Sequence, residues 1–120
     1  MAIAAQFLVG LILLLHVYFV LLETVLFKTR GRRVFGLSAE KAEIMAPAMS
    51  NQGCYNGFLV AALAVGLLHP NPELARAFLG YGLLCIAVAG VWGAVTVKRS
   101  IVFIQTAPAL VALALVHFSR

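Results

Sequence analysis

Charge is what this sequence has least of. Only 11% of its 120 residues are charged, and of the four acidic ones a single residue, Glu23, falls inside a long apolar stretch. A chain that is 63% hydrophobic cannot cover the surface of a soluble domain with charge, and it is too short for more than one folding unit. One carboxylate at apolar depth excludes a two-carboxylate mechanism. There is no Gly-rich phosphate loop and no His-x-x-x-His or Cys-x-x-Cys pair, so no metal site is expected and no cofactor is implied. Cys54 and Cys85 lie at depths that differ by roughly 7 Å on the helical rise, which argues against a disulfide. Cys54 has no close basic neighbour and reads as a packing residue rather than a nucleophile.

What the chain does have is apolar length. Met1 to Phe27 holds no charged side chain except Glu23, and Ile44 to Asn71, Ala77 to Val97 and Ser100 to Ser119 hold none. Each run can cross a hydrocarbon core of roughly 30 Å as a helix of about 20 residues. The expected fold is all-α: an antiparallel four-helix transmembrane bundle forming one domain, with helices over residues 2–27, 47–68, 73–97 and 100–118. The first run lacks a basic region before its apolar core and ends at Lys28-Thr29-Arg30-Gly31-Arg32-Arg33, a stop-transfer flank, so it reads as a retained helix rather than a signal peptide. Lys28, Arg30, Arg32, Arg33 and Lys41 fall in the first connection and Lys98 and Arg99 in the third, leaving Arg76 and Arg120 alone on the other side. By the positive-inside rule, residues 28–46 and 98–99 are cytoplasmic and both termini extracytoplasmic. The net charge of +5 then sets topology in a lipid bilayer, and no nucleic-acid partner is expected.

Local signals refine this frame. In the first connection Gly31 and Gly36 act as breakers, and Ser38 is an N-cap for a short amphipathic helix over 39–45 with Glu40 in its first turn. Phe35, Leu37, Ile44 and Met45 beside the basic cluster fit a segment on the cytoplasmic interface with its arginines towards anionic head groups. The plainer reading, an ordinary solvated basic loop that only sets topology, is preferred. Pro47 is expected to open the second helix. In the turn His69-Pro70-Asn71-Pro72-Glu73, Asn71 is the N-cap of the third helix, Pro72 its first residue and Glu73 its first-turn acid. Pro108 is expected to kink the fourth. Gly53, Gly57 and Ala61 in the second helix, and Ala89 and Gly93 in the third, stand at steps of four as small-residue tracks on which helices, and copies of a homo-oligomer, can approach closely.

The polar residues gather in one leaflet. Counted from the cytoplasmic helix ends, Glu23, Asn51, Gln52, Tyr55, Asn56, Trp92, Gln105 and His16 all lie within ~16 Å. His16 and Glu23 are two turns apart on one stripe. A carboxyl in lipid costs several kcal/mol, so Glu23 is expected to face inward, within hydrogen-bond reach of Asn51, Gln52, Tyr55, Asn56 or Gln105. One reading is polar glue that fixes helix register, in a protein that is a structural partner of another membrane protein. A second is a polar pocket that binds or acts on a small amphipathic or lipophilic molecule, with Glu23 and His16 as acid and base and Asn51, Asn56 and Gln105 orienting the ligand. A third is a transporter or channel subunit in which Glu23 carries a proton or cation. Residue types alone leave open whether the chain is an enzyme.

The strings His16-Val17-Tyr18-Phe19-Val20-Leu21-Leu22-Glu23, Phe35-Gly36-Leu37-Ser38 and Asn51-Gln52-Gly53-Cys54-Tyr55-Asn56-Gly57-Phe58-Leu59 resemble a family of small bacterial membrane proteins, domain of unknown function 1304. The likeness covers nearly the whole chain. It implies a four-helix membrane protein, carries no established activity, and makes the polar band the family's signature. The chain is also similar in architecture to the membrane-associated proteins of eicosanoid and glutathione metabolism, through Arg33-Val34-Phe35 and an Asn-bearing second helix. Their second helix carries an Arg four residues before that Asn and a Glu after it. Pro47 and Tyr55 stand at those places here, so only the architecture carries over.

Overall fold

The structure, a computed structural model, describes residues 1–119 and is all-α. In chain order it runs α1 (Ile3–Glu23), a π turn (Phe27–Gly31), α2 (Arg32–Val34), α3 (Ala39–Leu68), α4 (Pro72–Thr96), a second π turn (Val102–Thr106) and α5 (Ala107–Phe118). Among the described residues, α1 and α4 are long and apolar enough to cross a membrane, by length and composition, and Val102–Phe118 is a shorter apolar stretch. Two compact units form, one of Leu14–Val60 and the other of Met1–Leu13 with the chain from Ala61 onward.

In the Leu14–Val60 unit, the helix expected over 2–27 stops at Glu23. Thr24 Oγ1 donates to the Val20 carbonyl at 2.6 Å, and the Leu26 N–H reaches back five residues to the Leu21 carbonyl at 2.9 Å. This opens the ladder into the wider π geometry, which the Gly31 N–H continues by bonding the Leu26 carbonyl at 2.8 Å. The chain then folds back over the end of α1. Gly31 lies so close to the Leu22 carbonyl that an added Cβ would strike it, so only glycine permits this approach. Phe27 is buried beneath the turn, its ring 6.2 Å from that of Phe35.

Gly36, at φ 67°, ends α2 in a Schellman arrangement. Its N–H bonds the Arg33 carbonyl at 3.2 Å and the Leu37 N–H the Arg32 carbonyl at 2.9 Å. The first connection is thus largely helical. Ser38 Oγ accepts from the Lys41 N–H at 3.2 Å, the expected cap. The helix it starts does not end before Pro47, however. α3 runs unbroken from Ala39 to Leu68 with Pro47 inside it, so the expected second helix of 47–68 and the short helix of 39–45 are one element. Proline removes only its own N–H from the ladder, leaving the Glu43 carbonyl without that donor, and the bonds on either side carry the helix across. An exposed ion pair, Lys28 Nζ to Glu43 Oε1 at 2.8 Å, adds at most ~1 kcal/mol.

In the other unit, α3 and α4 interlock through glycine. The Leu63 side chain lies against Gly82, and the Leu79 side chain against Gly66. Leu63, Leu79, Leu83 and Ile86 are fully buried there. The buried face of α4, Ala75, Leu79, Gly82, Leu83, Ile86, Ala87 and Gly90, follows helical steps of three and four. Asn71 caps α4 as expected: its Oδ1 accepts from the Glu73 N–H at 2.9 Å and the Leu74 N–H at 3.1 Å. α4 spans Pro72–Thr96 rather than 73–97.

The continuous helix expected over 100–118 is instead a π turn followed by α5, with Pro108 in the first turn of α5. The Ala107 N–H bonds the Val102 carbonyl, five residues back, so the disruption expected at Pro108 takes the form of a π turn just before it. The small-residue tracks also differ from expectation. A Cβ at Gly57 would meet nothing within 4 Å, whereas one at Gly53 would meet Thr24 and Glu23. Ala61 and Ala89 are exposed. Gly93 approaches Ile101, and it is Gly90, about a quarter turn around α4 from Ala89, that packs tightly, against Thr106 and Gln105.

Candidate functional site

Glu23 is the last residue of α1 and is 3% exposed. Two amides of α3 hold its carboxylate: Gln52 Nε2 donates to Oε2 and Asn56 Nδ2 to Oε1, each at 2.5 Å. Gln52 and Asn56 are four residues apart, so their side chains leave the same face of α3 one turn apart and engage one carboxyl oxygen each. Gly53 lies on that face between them. A Cβ there would come 2.6 Å from Thr24 Cγ2 and 3.2 Å from Glu23 Cβ, so the absence of a side chain at residue 53 is what lets α3 come within amide reach of Glu23. The Thr24 hydroxyl is committed to the Val20 carbonyl, which fixes the backbone on which Glu23 sits. The result is a carboxylate, acceptor at both oxygens, in a setting that supplies a donor to each.

His16 lies two turns earlier on α1, buried, its ring edge-on to Phe19 at 5.2 Å. Asn51 is exposed. Tyr55 is 61% exposed and packs edge-on against Phe58. Of the α3 polar residues proposed for the band, then, the structure joins Gln52 and Asn56 to Glu23. In the unit from Ala61 onward, Trp92 is 72% exposed and Gln105 half-buried beside Gly90.

Two residues of consequence carry no chemical signature in the sequence. Thr106 is buried and donates from Oγ1 to the Ala87 carbonyl at 2.8 Å, locking the second π turn to α4. Its proximity to Pro108 was the one available hint, since a helix interrupted by proline needs side-chain donors nearby. Tyr18 accepts a hydrogen bond from Arg30 Nε at 2.7 Å, a contact that exists only because the chain folds back at Gly31.

No curated protein and no solved structure matches the chain. Residues 10–117, which include Glu23, Gln52 and Asn56, match the family model described as protein of unknown function (DUF1304), and the chain belongs to that family.

Proposed function

We propose that the protein is a four-helix integral membrane protein with both termini extracytoplasmic, and that the carboxylate of Glu23 anchors a polar pocket on its cytoplasmic side that binds a small amphipathic or lipophilic molecule. The observation that carries this reading is the placement of Glu23: a 3% exposed carboxylate at the end of a 21-residue apolar helix, approached by two amides and a glycine that makes room for them. Intramembrane ionisable residues are costly and mark functional sites by default. The lipid setting is supported by the large apolar side chains that α1 and α4 leave exposed, among them Ile3, Phe7, Leu14, Val88 and Val95. Homo-oligomers are part of the proposal: Gly57 has open space in front of it and Ala61 beside it on α3 is exposed, which leaves that track to a second copy.

One observation favours the structural alternative. Both oxygens of Glu23 are already met by the chain's own amides, as polar glue requires. Extraction of wild type and Glu23→Gln in mild detergent, followed by mass spectrometry of co-purifying small molecules and thermal unfolding, separates the two. The pocket reading expects a molecule that wild type retains and Glu23→Gln loses, with only a moderate loss of stability from the one amide donor left without an acceptor. Identical co-purifying species with a large loss of stability would leave only glue.

A further inference from the structure

A second constellation in the Leu14–Val60 unit has the opposite chemistry to the Glu23 site. Arg30 Nε donates to the Tyr18 hydroxyl at 2.7 Å, with the guanidinium carbon 5.7 Å from the centre of the Tyr18 ring. Having accepted that bond, the hydroxyl still has its own proton to donate, and both terminal nitrogens of Arg30 remain available. Arg33, three residues on and likewise exposed, adds a second guanidinium to the same short stretch of chain. Neither arginine has a carboxylate partner among the described residues. Glu43 is taken by Lys28. The cluster therefore presents donors and positive charge, and its complement is an anion with several acceptor oxygens.

The position of the cluster says where that anion comes from. Tyr18 stands on α1, one of the two helices long and apolar enough to cross a membrane. Val34 and Phe35, 54% and 42% exposed, directly follow Arg33, and Ile44 is exposed on the first turns of α3. Basic donors bordered by exposed apolar side chains at the end of an apolar helix match a phosphate that arrives attached to acyl chains. The site is also built rather than loose: the contact of Gly31 with the Leu22 carbonyl and the π turn hold Arg30 back over Tyr18. We propose that Tyr18, Arg30 and Arg33 form a binding site for the phosphodiester head group of an anionic phospholipid. The proposal rests on the membrane reading above and is independent of what Glu23 binds.

The test uses the full chain in nanodiscs of phosphatidylcholine doped with phosphatidylglycerol, with retained lipids counted by native mass spectrometry. Wild type is expected to retain phosphatidylglycerol in preference to phosphatidylcholine. Arg30→Gln and Arg33→Gln should each weaken that preference roughly fivefold, as loss of one cation near an anionic surface does. Tyr18→Phe should weaken it roughly threefold with no change of charge. Lys28→Gln, whose charge Glu43 already offsets, should stay within about twofold of wild type. Among the described residues the Arg33 side chain makes no bond that its replacement would break, so Arg33→Gln reads the site without disturbing the fold. Equal retention of the two lipids, a Lys28→Gln loss as large as that of Arg30→Gln, an unchanged Tyr18→Phe, or displacement of the lipid by inorganic phosphate would each overturn the proposal. Release of the chain from membranes by alkaline extraction is a separate result, which overturns the membrane reading itself.

Discussion

Gly53→Ala and Gly57→Ala make the same chemical change one turn apart on α3, and the structure assigns them opposite outcomes. Each replaces glycine inside a helix, which by propensity alone stabilises by ~1 kcal/mol. At residue 57 nothing opposes that gain, because the new methyl meets no atom within 4 Å. At residue 53 the methyl falls 2.6 Å from Thr24 Cγ2, 3.2 Å from Glu23 Cβ and 3.4 Å from the Val20 carbonyl oxygen. Thr24 cannot rotate away without giving up its bond to Val20, so α3 must move outward, and overpacking of this kind costs ~1–3 kcal/mol. Outward movement also stretches the two amide bonds to Glu23, and hydrogen bonds to charged groups are worth ~1.5–3 kcal/mol each. Gly53→Ala is therefore expected to be at least ~2 kcal/mol less stable than Gly57→Ala. Unfolding of the two variants in mixed micelles titrated with dodecyl sulfate measures the difference. A Gly53→Ala variant as stable as Gly57→Ala would refute the close approach of α3 to Glu23, and with it the account of how the carboxylate is held.

Asn71→Ala removes the acceptor for two backbone N–H groups at the start of α4 and should cost about 1 kcal/mol in the same unfolding assay. Thr106→Val keeps the shape of the second π turn but strips the donor from the Ala87 carbonyl; the expected loss is ~1 kcal/mol, with Thr106→Ser closer to wild type. The proposed topology predicts that cysteines introduced in place of Glu40 and Glu73 react with a membrane-impermeant thiol reagent from opposite sides, residue 73 from outside. Labelling of both from the same side would contradict the charge asymmetry on which the topology rests.

What could be read from the sequence was whatever is decided within a few residues or by depth alone. The cap, proline and acid of Asn71-Pro72-Glu73 start a helix by local chemistry, as does Ser38, and both do so in the structure. That Glu23 meets one of Asn51, Gln52, Tyr55, Asn56 or Gln105 followed from cost and height, and Gln52 and Asn56 are the ones it meets. Which amide it meets depends on the rotation of α3 about its axis, and that is decided by where a backbone can approach. It is Gln52 and Asn56, not Asn51 and Tyr55 at much the same height, that bond Glu23, because the contact face passes through Gly53. The same limit explains the choice of Ala89 over Gly90, since spacing of four gives a stripe but not which stripe is covered. Pro47 misled for the converse reason: it marks a helix start by statistics, while the long ladder on either side tolerates one missing donor.

The two π turns repeat one physical solution. Each lies at an interruption of an apolar helix, after Glu23 in one case and before Pro108 in the other. Beside each stands a threonine whose hydroxyl is committed to a backbone carbonyl, Thr24 to Val20 and Thr106 to Ala87. Against each threonine packs a glycine of another helix, Gly53 and Gly90. At the first turn the threonine supplies an uncharged donor to a carbonyl of the interrupted helix itself. At the second it ties the turn to the unbroken ladder of α4. In both the glycine lets the neighbouring helix close in. At the first turn this leaves the end of α1 with its polar groups committed: the Thr24 hydroxyl to Val20, the Glu23 carboxylate to Gln52 and Asn56. A ligand that reaches Glu23 must therefore replace an amide N–H with a donor of its own, because a carboxylate stripped of a donor in a buried site is heavily penalised. Purely apolar molecules, and anions that carry no N–H or O–H, fail that condition. The exchange of one donor for another is the chemical step that separates a binding site at Glu23 from a fixed structural bond.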